Sequence, residues 1–190
     1  GFLAGLGAPL RGTATVSGSL TAGGIAAVQG AGGVVNLGTI QGVTGAVVNS
    51  GAGTLTNAGS ISATGAGSQL TLRGDTMSLA SGTVSSGGTI LVRTDNDAQP
   101  ITLGGAGLGL GLTQADLATL VGALQIGAST HTGGIIVDGP VARTSAAQTV
   151  LFTNGGAIFT SDFNVSGGGT LTVSGSQVLV SNGSVQASNI

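Results

Sequence analysis

Asn36-Leu37-Gly38-Thr39-Ile40 and Asn57-Ala58-Gly59-Ser60-Ile61 are one phrase written twice, and the interval between them decides the fold. Upstream, Ser17-Gly18-Ser19-Leu20 restates the phrase without its Asn, so the aliphatic endpoints Leu20, Ile40 and Ile61 stand 20 and 21 residues apart. That period is in the range of solenoid coils, each of which buries its apolar side against the next. The phrase returns at Asn154-Gly155-Gly156-Ala157-Ile158 and Asn182-Gly183-Ser184-Val185, but there Ile158, Leu171 and Val185 follow at 13 and 14 residues. Either the coil shortens or the phrase marks a different corner.

Around the phrase lie short apolar or alternating runs: Ile25 to Val28, Val34-Val35, Ala46 to Val48, Gln69 to Leu72 and Thr89 to Val92. Each reads as a strand of a few residues, bounded by Gly-rich punctuation that supplies positive-φ corners. Three such strands and three corners use up about 20 residues. Antiparallel hairpins would give strands of similar length, but the like-for-like return of the phrase favours parallel stacking. Stacking puts Ile40 on Ile61 in a core column and lets Asn36 over Asn57 form an amide ladder, which satisfies polar groups at a tight corner.

Composition narrows the class. The 190 residues include 39 glycines and only 5% charged side chains, against roughly a quarter in ordinary domains. A mean hydropathy of +0.52 and a net charge of -2 oppose disorder, which needs low hydropathy and high charge. Three prolines exclude collagen. Arg11, Arg73, Arg93 and Arg143 are far apart in sequence and there is no Lys, so neither nucleic acid nor an anionic membrane surface is an expected partner. Absence of Cys removes disulfides and thiolate zinc sites. Residues 12–72 carry no charge, yet Gly, Ser, Thr and Asn interrupt them too often for a spanning helix, and four Phe are too few for the aromatic girdles of a membrane barrel. The start, Gly1-Phe2-Leu3-Ala4-Gly5, has no initiator Met or basic segment and reads as internal or processed.

The expected organisation is a single β-solenoid domain over residues 1–190, all-β, with an interruption at 94–124. Thr94-Asp95-Asn96-Asp97-Ala98-Gln99-Pro100 breaks the pattern as a protruding loop. Leu117, Leu120, Val121 and Leu124 then fall at i, i+3, i+4 and i+7, predicting a helix of about ten residues near 114–123. Thr113 and Asp116 form its capping box.

Thr54-Leu55-Thr56-Asn57-Ala58-Gly59-Ser60-Ile61 resembles the coils of filamentous-haemagglutinin-type exoproteins and autotransporter passengers. Leu112 to Leu117, Leu124 to Gly127 and Gly133 to Val137 are similar to a segment that recurs in that family. The resemblance implies a right-handed parallel β-helix, secretion to the bacterial cell surface, and a role in adhesion or filament building. Its implied partners are adjoining β-helix segments or further copies of the chain, end to end, and a ligand on a host cell or matrix. It implies no catalytic residues and no cofactor.

Chemical motifs are sparse. Asp95 and Asp97 are the only metal candidates, weak ones, because the Gly and closing Glu of a calcium loop are missing and the chain has no Glu. His131 stands without a second His or Cys and is expected in a surface loop. Gly107-Leu108-Gly109 lacks the spacing and context of a dinucleotide fingerprint. A polysaccharide-cleaving or carbohydrate-binding β-helix is the alternative, but lyases need a cation beside metal-binding carboxylates and sugar sites favour Trp and Tyr, which are absent. Phe152, Phe159 and Phe163 are expected as core stackers.

Overall fold

The computed structural model describes residues 11–105 and 107–189; the readings placed on residues 1–10 lie outside that range. Apart from one short helix, the described residues form a parallel β-solenoid of about eight turns. The first turn runs β1 (Ala14–Val16), β2 (Ser19–Ala22), β3 (Ile25–Gln29), and the second β4 (Gly33–Asn36), β5 (Thr39–Gly42), β6 (Gly45–Asn49). The third is β7 (Thr54–Asn57), β8 (Ser60–Ala63), β9 (Gln69–Arg73); then come β10 (Thr76–Ser78) and β11 (Thr83–Arg93), which bends across two faces. Next follow β12 (Ile101–Gly104), β13 (Leu110–Thr113), α1 (Gln114–Ala118) and β14 (Leu120–Gly127), the last again serving two faces. The remaining turns are β15 (Ile135–Val137), β16 (Val141–Thr144), β17 (Thr149–Phe152), β18 (Gly156–Phe159), β19 (Phe163–Ser174), β20 (Gln177–Val180) and β21 (Val185–Asn189).

Three faces result. We call them A, B and C after the order in which the first turn visits them. Alternation along each strand sends one side chain in and the next out, as in β9, where Leu70 and Leu72 are buried between Gln69, Thr71 and Arg73. The inward residues stack in columns. On face B, Leu20, Ile40, Ile61, Val84 and Leu120 are register partners in turn. On face C, Val28, Val48, Leu72, Val92, Ile126, Leu151 and Val173 do the same. Phe159 and Phe163 meet edge to face inside the later turns, with centroids 6.1 Å apart, while Phe152 is only half-buried.

The glycine of the phrase is needed for closeness. A Cβ on Gly59 would run into the carbonyl oxygen of Gly38, and one on Gly38 into that of Gly18. Neither has a positive φ, unlike Gly51 (57°) and Gly67 (71°), which turn other corners.

Face C alone has an unbroken ladder from its first strand through β19, in the order β3, β6, β9, β11, β14, β17, β19. β19 also bends across two faces, and β21 pairs mainly with its face B half. Face A is broken between β10 and β13. Its second half has the order β13, β12, β15, β18, β20, so β12 precedes β13 in the chain yet lies beyond it in the stack. This places an additional layer on face A that faces B and C do not match. Face B accordingly breaks between β14 and β16, which share no ladder among the described residues.

The expected ten-residue helix is corrected to five residues, with its capping box in place: Thr113 Oγ1 accepts from Asp116 N at 3.2 Å, and Asp116 Oδ2 from Thr113 N at 3.0 Å. Leu120 and Leu124 reach the core from β14, and Val121 is 62% exposed. A spacing of four suits a strand as well as a helix, and pairing of β14 with β11 wins through a bend at Gly122, whose φ is 128°.

Candidate functional site

Three polar constructions interrupt the aliphatic stack. At the corner from face A to face B, Asn36 and Asn57 are fully buried and stacked. Asn36 Nδ2 donates to Asn57 Oδ1 at 2.8 Å and to Ser60 O at 3.2 Å, and Asn57 Nδ2 donates to Thr83 O at 3.1 Å. One turn further on, the next residue after Ser78, the partner of Thr56, is Leu79, which is buried without an amide. The ladder therefore has two rungs.

Its later echoes sit elsewhere. Asn154 lies at the corner from face C to face A, where its Nδ2 donates to Ser129 O. Ile158 faces outward at 36% exposure while Ala157 and Phe159 fill the core, so it is not a core endpoint. Asn182 is exposed two residues beyond β20, although Val185 does pack inward beneath Phe163. The intervals of 13 and 14 thus compare different corners, and the coils keep their length.

The second construction is a charged corner between faces C and A. Arg73 and Arg93 are register partners on β9 and β11, and Asp75 and Asp95 follow each of them by two residues. Arg73 Nε pairs with Asp95 Oδ1 at 2.9 Å and Arg93 Nη2 with Asp97 Oδ1 at 3.1 Å. Asp75 Oδ1 accepts from the backbone of Asp95 and Asn96 at 2.8 and 2.9 Å. Asp95 and Asp97 are thus each committed to an arginine. Among the described residues no three His, Cys, Asp or Glu come together as a metal site would require. Desolvation by itself would raise the Asp97 carboxyl, but a hydrogen bond from Thr130 and the charge and hydrogen bond of Arg93 together outweigh it and hold the group below its ordinary value.

His131 belongs to the same corner and is 1% exposed, which corrects the surface-loop expectation. Its Nδ1 lies 3.4 Å from Thr94 Oγ1. Burial lowers its pKa, opposed by a Gly134 backbone contact and by Asp97. The signal for this corner was present in the sequence as Arg73-Gly74-Asp75 and Arg93-Thr94-Asp95, an Arg-x-Asp pair repeated one coil apart.

The third construction holds the two ladder breaks together, and α1 is its centre. Asp116, 5% exposed, accepts from Leu79 N at 2.7 Å and Ala80 N at 3.0 Å, tying the corner after β10 to the helix. Gln114 acts as a missing strand residue on face B: its Nε2 donates to Ala142 O at 2.8 Å and its Oε1 accepts from Ala142 N at 2.9 Å. From the other side, Arg143 Nη2 donates to Leu120 O at 3.4 Å and Gly122 O at 3.2 Å on the edge of β14. A cavity of about 440 Å³ remains in the gap, lined by residues of α1, β14 and β16. Burial lowers the Arg143 pKa from its ordinary value, though a guanidinium stays protonated at any physiological pH.

No family model, curated protein or solved structure matches the chain.

Proposed function

We propose that the chain is a structural β-solenoid segment of a secreted bacterial surface adhesin or extracellular filament, which works by coil stacking and joins neighbouring β-helix segments or copies of itself end to end. The observation that carries this reading is the run of stacked columns, built on a backbone ladder that does not lapse on face C from β3 to β19. Such a ladder resists extension along the axis, and the reading calls for no catalytic group. Support for end-to-end joining comes from β20, where Val178, Leu179 and Val180 are about half exposed beside an apolar recess of about 330 Å³. An uncovered apolar strand edge of this kind favours a further coil, supplied by continuing polypeptide or by another copy.

Electron microscopy and sedimentation velocity of the purified chain over a concentration series test the assembly. Rods that lengthen with concentration, and that Leu179→Asp shortens, are expected. Rods of one length throughout would reject self-assembly. The surface role is tested separately, by whether antibody to these turns labels intact cells of the source organism.

A further inference from the structure

The gap on face B contains a charge that no described residue neutralises. Arg143 occupies an inward position on β16, between the buried Val141 and the β19 partner Val165, and is 5% exposed. Among the described residues no carboxylate lies within 4 Å of it, whereas Arg73 and Arg93 each have one. Its Nη2 is occupied by the two β14 carbonyls, but Nε and Nη1 make no hydrogen bond. A guanidinium carries five N–H donors, so three of them are left buried and unused. Leaving a buried cation without an anion is costly, and the cost is relieved when an oxyanion binds.

The cavity around this cation has the build of a ligand site. Its volume of about 440 Å³ is within the range of small-molecule pockets, roughly 300–1,000 Å³. Its lining combines apolar side chains, Leu117, Leu120 and Val121, with polar ones, Thr144, Ser145 and Arg143. Asp116, on the neighbouring helix, is turned away from the cavity by its bonds to Leu79, Ala80 and Thr113, so it does not supply the missing anion.

We propose that this gap is a binding site for a small ligand bearing a carboxylate and an apolar face, with Arg143 receiving the carboxylate and Leu117, Leu120 and Val121 the apolar face. Nε and Nη1 are closed off from the cavity as the side chain stands, so the carboxylate reaches them through a turn of the guanidinium that releases the long Nη2 bonds at 3.4 and 3.2 Å. Charge-assisted bonds of this kind are the strong ones. A hexuronic acid and a peptide carboxyl terminus with an apolar last residue both present that chemistry. The site owes nothing to end-to-end assembly and stands or falls apart from it.

The test is NMR titration of the folded chain with glucuronate and with N-acetyl-leucine, each beside its neutral counterpart, glucose and N-acetyl-leucinamide. We expect saturable movement of the Arg143 Nε–H signal and of the Val121, Gly122 and Ser145 amides with at least one acid, at a Kd of about 1 mM or tighter. The better acid tells a sugar source from a peptide one. Arg143→Met should weaken binding at least tenfold. Val121→Phe, which fills the cavity from an exposed position and leaves the guanidinium alone, should do the same if the first variant fails to fold. Acids that move these signals no more than their neutral partners, or a folded Arg143→Met that binds as the parent does, would overturn the assignment.

Discussion

Replacing Asn36 and Asn57 by Ala, singly and together, measures what the amide ladder contributes. In Asn57→Ala, Thr83 O loses its side-chain donor and Asn36 Nδ2 keeps only its bond to Ser60 O. Two lost hydrogen bonds at about 1 kcal/mol each, with about 1 kcal/mol for the small void, give a destabilisation of about 3 kcal/mol. Asn36→Ala loses the shared bond, the bond to Ser60 O and a long one at 3.3 Å from Gly38 N, for a similar total. The shared bond can be lost only once. The double variant should therefore cost about 5 kcal/mol, a coupling of about 1 kcal/mol. Urea unfolding followed by circular dichroism reads these differences as shifts of midpoint at constant slope. Strict additivity, or a single-variant cost under about 0.5 kcal/mol, as at a neutral surface position, would refute the argument that stacked amides stabilise this corner.

Three other positions offer independent checks. Thr149 sits fully buried in a face C column between Leu124 and Leu171, and its Oγ1 has no partner, so Thr149→Val should raise stability by about 1 kcal/mol in the same assay. His131 titrates below its ordinary 6.5 when folded. The unfolded chain therefore takes up a proton first as pH falls, and stability should decline below about 6.5, by at most about 1.4 kcal/mol per pH unit, levelling off below the folded pKa. His131→Leu should flatten that decline; an unchanged slope would point to other groups. Asp116→Ala frees the Leu79 and Ala80 amides and the capping box together, and should lower stability by about 3 kcal/mol with earlier hydrogen exchange at residues 79, 80 and 113, whereas exchange confined to the helix would contradict its role as a tie.

How much of this was legible in the sequence follows from what repeats. Ile40 over Ile61 and Asn36 over Asn57 could be read directly, because one coil position recurs at nearly constant spacing while the chain carries no insertion. From Val84 to Leu120, partners on face B, the interval contains β12, β13 and α1, and counting fails. No local pattern announces that β12 will lie beyond β13, since both are short apolar runs of the same kind. Leucines four apart satisfy both helical and strand periods, so the spacing alone extends the helix too far. Separation along the chain hides the stacking of Arg73 on Arg93, which only the coil register brings together. Arg143 and Gln114 were invisible as a pair, since neither belongs to a motif and their meeting depends on a break that only stacking creates.

That break has a mechanical consequence. Between β14 and β16 a pull along the axis is borne by main-chain bonds on faces A and C, and on face B only by side chains, those of Gln114 on α1 and of Arg143. A rod built this way has a fuse at a fixed place, where a load would part the turns in the middle and leave the stacks on either side intact.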